Sequence, residues 1–327
     1  MFVAADNSRF VDISVPAWGW AALIVVLGLM LAFDLYRHRD DHEPTPKEAL
    51  HESIGWVLCG LAFGAVVWAS FGTPAFGEYL SGYLIEKSLS VDNVFVWSML
   101  FGAMAIPLKF QHRVLFWGIF GALTLRALFI GVGTTLITRF TWILVVFGGF
   151  LIFTGIKMIR HRAEEGSSAK TAGLGLLRKI MPVTDTLDGH KFFTRVNAKR
   201  AATPLFAALV VIEITDVIFA VDSVPAILAV SHEPFLVFAS NAFAILGLRA
   251  MYFLLASAKD RFHYLSHALG GILIFVGAKM TASAWGLHMN TYVSLGIIVV
   301  MLSVAIVASV RRAGSPPLPS PADQAAA

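Results

Sequence analysis

Apolar stretches long enough to cross a bilayer recur along this chain from residue 17 almost to its C-terminus. A helix needs about 18 to 20 consecutive, mostly apolar residues to span a hydrocarbon core. In lipid, only helices and closed barrels satisfy every backbone N–H and C=O. Composition agrees: 57% of residues are hydrophobic and 14% charged, with a mean hydropathy of +0.74, whereas soluble domains carry roughly 25% charged residues. The expected fold class is therefore all-α, a polytopic membrane protein of about nine transmembrane helices. These are placed near 17–36, 50–70, 77–104, 112–136, 141–159, 204–230, 235–257, 264–283 and 291–310.

Charge sets the orientation. Arg37, Arg39 and Lys47 follow the first expected helix, Lys109 and Arg113 the third, a long basic segment the fifth, and Lys259 and Arg261 the seventh; Arg311 and Arg312 lie in the tail. The intervening loops are nearly free of Lys and Arg, Arg139 excepted. The positive-inside rule then puts the N-terminus outside, the C-terminus in the cytoplasm and the chain in a bacterial inner membrane. The same alternation accounts for the net charge of +4 without a nucleic-acid partner. The first apolar run has no basic cluster before it and no small-residue cleavage site, so it reads as an anchor, not a leader. The single cysteine, Cys59, rules out an intrachain disulfide framework and a Cys-rich metal site.

An internal repeat organises the middle of the chain. GFLIFTGIKM (149–158) matches GILIFVGAKM (271–280) at seven of ten positions. Upstream, Leu125-Arg126-Ala127 answers Leu248-Arg249-Ala250, Val91-Asp92-Asn93 answers Val221-Asp222-Ser223, and Glu86 answers Asp216. Each unit holds three expected helices, and an odd number makes the second copy enter from the opposite face, the inverted-repeat logic of secondary transporters. The expected organisation is two N-terminal helices (1–76), repeat unit one (77–159), a cytoplasmic loop (160–203), repeat unit two (204–283), a ninth helix (284–312) and a disordered Pro, Ser and Ala-rich tail (313–327). Within the loop, Asp185, Asp188 and His190 offer a regulatory ion site, although a solvated loop explains them as well.

The third and sixth expected helices carry Glu86, Asp92, Glu213, Asp216 and Asp222 inside apolar runs. At about 2.5–3.5 kcal/mol per central charge, five unpaired carboxylates would cost on the order of 12–18 kcal/mol, more than a typical protein's stability. They must be protonated, paired, or facing water or a cation. Joined by Asn93, Ser223, Ser88 and Ser90, they form a set of hard oxygen donors suited to Mg, Ca or Mn, with no His or Cys to favour Zn or Cu. Pro225 withholds a donor from the Val221 carbonyl and is expected to break the sixth helix beside Asp222, exposing further oxygens. Lys87, Arg126 and Arg249 either serve as counter-ions and gates for this site or lock the acids into a structural network. Asn241 reads as an interhelical hydrogen bond or a ligand, and Lys157 and Lys279 as snorkelling anchors.

At these residues the chain resembles the tellurite-resistance TerC family, and within it the longer Alx-type branch. The resemblance rests on EKSLSVDNVFVW (86–97), ATPL (202–205), ITDVIFAVDSVPAI (214–227), SNAFAILGLRAMYFLLA (240–256) and the LIFxGxKM ends, across roughly residues 75–285; Thr215 stands where Ser is common. It implies a nine-helix transporter related to the lysine-exporter superfamily, with manganese efflux as the activity and Mn2+ as cargo; because carboxylates that release a metal can take up H+, protons are the expected coupling ions, and no resident cofactor is expected. It carries the motif acids over to Glu86, Asp92, Glu213, Asp216 and Asp222, with Asn93 beside them. Export of a cationic amino acid, a stress-response scaffold without transport, and a direct role in tellurite resistance are the competing expectations. No enzyme is expected: an aspartyl hydrolase built on Asp92 and Asp222 would leave the surplus acids and cations without a purpose. The oligomeric state is left open.

Overall fold

The computed structural model describes residues 10–37, 45–140, 142–160, 182–184, 187–196, 199–256, 264–285, 287 and 289–313. In chain order the elements are α1 (Ala17–Arg37), α2 (Pro46–Ala103), α3 (Leu108–Arg139), α4 (Trp142–Arg160), β1 (Phe193–Val196), β2 (Lys199–Ala202), α5 (Pro204–Leu228), α6 (Pro234–Leu246), α7 (Leu248–Ala256), α8 (Leu265–Ala284) and α9 (Thr291–Ala313). Among the described residues, eight helical stretches are long and apolar enough to cross a membrane. Their surface chemistry is that of a protein dissolved in lipid. Trp18, Leu29, Phe153 and Val304 are exposed, while Glu86, Arg126, Asp216, Asn241 and Arg249 are buried.

At 58 residues α2 would run about 87 Å if straight, nearly three times a ~30 Å hydrocarbon core. It folds back instead. Gly72 has φ 83° and ψ 180° with Pro74 just beyond, a left-handed backbone that glycine adopts without steric cost. Past this point Tyr79 packs on Gly64 and Tyr83 on Gly60, and the Tyr79 hydroxyl donates to the Gly60 carbonyl at 2.8 Å. The two halves are therefore antiparallel, and they coincide with the helices expected at 50–70 and 77–104.

The repeated segments meet face to face. A Cβ on Gly148 would lie 2.7 Å from the Gly277 carbonyl, and one on Gly155 would lie 2.5 Å from the Gly270 carbonyl. Residue numbers rise on α4 as they fall on α8, so the helices cross antiparallel, backbone to backbone, as small residues permit in lipid. The sequence match equates Gly148 with Gly270 and Gly155 with Gly277, so each glycine meets the equivalent of the other. The neighbouring contacts follow the same exchange: α2 packs on α6, and α3 on α5.

Two expectations about helix continuity need correcting. The break expected at Pro225 does not occur, because α5 stays helical to Leu228. Pro225 withholds one hydrogen bond from the Val221 carbonyl, and the helix continues past it to Leu228. The interruption lies instead in the run expected as one helix over 235–257, which stops at Leu246 and resumes at Leu248. The segment 160–203 also holds order that was not expected. Strands β1 and β2 pair antiparallel, Phe193 opposite Ala202 and Val196 opposite Lys199. Residues 161–181, 185 and 314–327, including Asp185 and almost all of the tail, lie outside the described residues.

The α4–α8 seam generates a prediction. Gly155→Val and Gly277→Val should each lower the unfolding temperature of the purified protein, overpacking costing about 1–3 kcal/mol. Gly131→Ala, where an added Cβ meets nothing within 4 Å, should leave it unchanged or raise it. Equal melting of all three variants would contradict the seam.

Candidate functional site

Three helices deliver one buried ionic cluster. Arg126 of α3 is 1% exposed, Glu86 of α2 0% and Asp216 of α5 2%. The guanidinium grips Asp216 with two donors, Nη2 to Oδ1 at 3.2 Å and Nε to Oδ2 at 3.5 Å. Its Nη1 pairs with the Glu86 carboxylate and also donates to the Ser223 hydroxyl at 3.1 Å. Ser223 lies seven residues beyond Asp216, on the same helical face, which is why both reach one arginine. Around Glu86, Ser90 donates to Oε1 at 3.0 Å and the Asn241 amide of α6 donates to Oε2 at 3.3 Å.

The cluster holds two carboxylates against a guanidinium that stays protonated at any physiological pH, so with both acids ionised it carries a net negative charge inside the bundle. A planar, forked cation suits the task because it bridges two helices bidentately. Glu213, three residues before Asp216, is not drawn into this pairing. Its carboxylate lies against Gly121 of α3, where a side chain would collide with it, and its Oε2 is buried without a hydrogen-bond partner. Asn93 is buried on α2. Asp92 and Asp222 occupy helical backbone in α2 and α5, and their side chains lie outside the described residues.

The remaining basic residues separate. Lys87 donates to the Ala244 carbonyl of α6 at 3.1 Å. Arg249, equated with Arg126 by the repeat, pairs instead with Asp34 of α1 and donates to its carbonyl at 3.3 Å. Among the described residues no group of three or more His, Cys, Asp or Glu is placed to hold a metal ion. In this conformation Arg126 fills the position between Glu86 and Asp216.

Other polar groups were not singled out by sequence. Glu78, eight residues before Glu86, accepts from the Val11 N–H at 2.9 Å and from the Ser231 hydroxyl at 2.7 Å. It closes one end of the bundle under the segment preceding α1, where Phe10 stacks on His232 at 4.0 Å. Burial lowers the His232 pKa to about 4. Asp34 and Glu78 both stood in apolar runs, the signal that marked the other acids, but near run ends where a charge reads as interfacial. In the loop, the Thr194 hydroxyl and the Lys191 ammonium hold the exposed Asp188 carboxylate below its usual pKa. His190 meets Phe110 edge-on at 4.8 Å.

Fold and centre together define a polytopic helical membrane protein with a buried acid–arginine cluster. The chain belongs to the integral membrane protein TerC family, which it matches over residues 71–315. It is similar to an uncharacterized membrane protein of Myxococcus xanthus, 48% identical over 299 residues, covering 91% of this chain and 93% of that protein. It is also similar to the "Putative membrane-bound redox modulator Alx" of Escherichia coli K12, 46% identical over 290 residues, covering 85% of this chain and 90% of that protein. The protein of the same name from Salmonella typhi is 44% identical over 298 residues, covering 89% and 92% respectively. No solved structure matches the chain significantly.

Removing one partner of a buried ion pair strands the others, at about 3–5 kcal/mol. Arg126→Met should therefore destabilise the purified protein by that order, and adding Glu86→Gln with Asp216→Asn should recover a large part of the loss. Additive losses in the triple variant would show that the three groups are not one unit.

Proposed function

We propose that this protein is an inner-membrane exporter of a divalent metal ion, with Mn2+ the cargo its donors suit best and protons the coupling ion. The observation that carries this reading is the convergence of Glu86, Asp216 and Ser223 on the buried Arg126 guanidinium, with Ser90 and Asn241 donating to Glu86 behind it, at the meeting of α2, α3, α5 and α6. Intramembrane charge is costly and is kept where something charged passes. Every donor is oxygen or amide, the hard set that Mn2+ accepts and that gives Zn or Cu no advantage.

In this mechanism Arg126 neutralises the empty site. Glu86 and Asp216, together with Asp92, Asn93, Glu213 and Asp222, supply the cation ligands, and the carboxylates take up protons once the metal leaves, since both compete for the same lone pairs. Nine crossings and an inverted repeat complete the reading. The antiparallel halves of α2 support the count, and the exchanged glycine contacts of α4 and α8 support the pseudo-twofold relation. Arg37 at the end of α1, Lys157 and Arg160 at the end of α4 and Arg311 in α9 support an outside N-terminus and a cytoplasmic C-terminus. The relatives named redox modulators invite a thiol mechanism, but a dithiol needs two cysteines and this chain has only Cys59. A redox effect through metal supply needs none.

In cells lacking other manganese exporters, wild-type protein should lower cell manganese. Asp92→Asn, Asp216→Asn and Asp222→Asn should each lose at least ~90% of that effect at equal expression. Purified protein in liposomes should move Mn2+ and not lysine. Wild-type activity in the three variants, or lysine flux without Mn2+ flux, would overturn the reading.

A further inference from the structure

A one-residue interruption at Gly247 divides the helix, which stops at Leu246 and restarts at Leu248, and the Gly247 N–H turns to the Ile245 carbonyl. At membrane depth such breaks survive only inside protein or beside a cavity. This span is the most enclosed, with 89% of its apolar window buried. The Ala244 carbonyl is served by a cation: Lys87 of α2 donates to it at 3.1 Å. No side chain fits at the break. A Cβ on Gly247 would lie 2.7 Å from Trp56 Cβ and 3.0 Å from Lys87 Nζ.

One turn earlier, on the face of α6 shared with Ala244, stands Asn241. It is 1% exposed, and its Nδ2 is committed to Glu86 Oε2 at 3.3 Å. Its Oδ1 is buried with no hydrogen-bond partner. An orphaned buried acceptor costs about 1–3 kcal/mol, and such an atom in a native interior calls for an explanation. The same side chain holds Glu86, and three residues along α6 the Ala244 carbonyl holds Lys87.

We propose that the broken α6–α7 span is a cation-coordination station, in which Asn241 Oδ1, the Ala244 carbonyl and Glu86 ligate a hard divalent ion that displaces Lys87. The station rests on the exporter reading and gives it a specific ligand set. The two basic residues at the centre then divide the work. Arg126 is pinned by forked bonds to two helices, whereas Lys87 is a point charge on a flexible stem with one backbone contact, able to swing aside. The resident ammonium satisfies the oxygens while no metal is bound, and its return helps to expel the ion. An amide at 241 in place of a second acid keeps the station weak enough to release its cargo.

The test uses full-length protein in nanodiscs and Mn2+ alone, with binding followed by loss of the free-ion electron paramagnetic resonance signal. Lys87→Met removes the competitor and keeps an apolar stem, so Mn2+ should bind at least tenfold tighter at neutral pH. Asn241→Leu, which retains the Lys87 contact, should bind at least tenfold more weakly. A Lys87→Met protein with wild-type melting but unchanged or weaker affinity overturns the station, as does wild-type affinity in Asn241→Leu. Should Lys87→Met fail to fold, Asn241→Leu decides alone. Asp216→Asn separates the two claims. If it weakens Mn2+ binding while both station variants leave binding unchanged, the exporter reading stands and the station falls; if wild type binds no Mn2+, both fall.

Discussion

The rest of the structure depends on one guanidinium. Charge inside a bilayer is tolerated only where it is answered, and Arg126 answers two helices at once, holding Glu86 of α2 and Asp216 of α5 across α3. Those helices carry matching acidic motifs, so the contact that fixes the bundle also gathers its oxygen donors. An ion pair this deeply buried is poor evidence for stability alone.

The two repeated sequence segments meet at the periphery, but their arginines part company at the centre. On the α4–α8 seam the glycines of one segment meet their exchanged equivalents in the other. At the centre, Arg126 serves both acids while its equivalent, Arg249, turns to Asp34 on α1. Within the cluster one guanidinium is set against two carboxylates, and the other nearby cation, Lys87, is held by the Ala244 carbonyl of α6.

Much of this was legible in the sequence. Glu86, Asp216 and Ser223 stood out because a carboxylate or hydroxyl repeats at matched spacing inside apolar runs, and the helix positions followed from the lengths of those runs. What was not legible has physical reasons. The fate of Arg249 depends on α1, which lies outside the repeat and so cannot be aligned to anything. The break went to Gly247 instead of Pro225 because helix continuity depends on tertiary packing. Pro225 is buried in a turn that stays helical, whereas Gly247 is pressed against Trp56 and Lys87, neighbours from another helix that no local pattern reveals. The β1–β2 hairpin is too short and too polar to announce itself beside the long apolar runs.

The central claim is that the acids of α2 and α5 form one cation site. Anomalous diffraction at the manganese edge, from crystals of the full-length protein grown with Mn2+, tests it most directly. The account predicts a peak within coordination distance of Glu86 or Asp216, between α2, α5 and α6. A protein that gives no peak there, or one that binds manganese only at the exposed Asp188 hairpin, would contradict it.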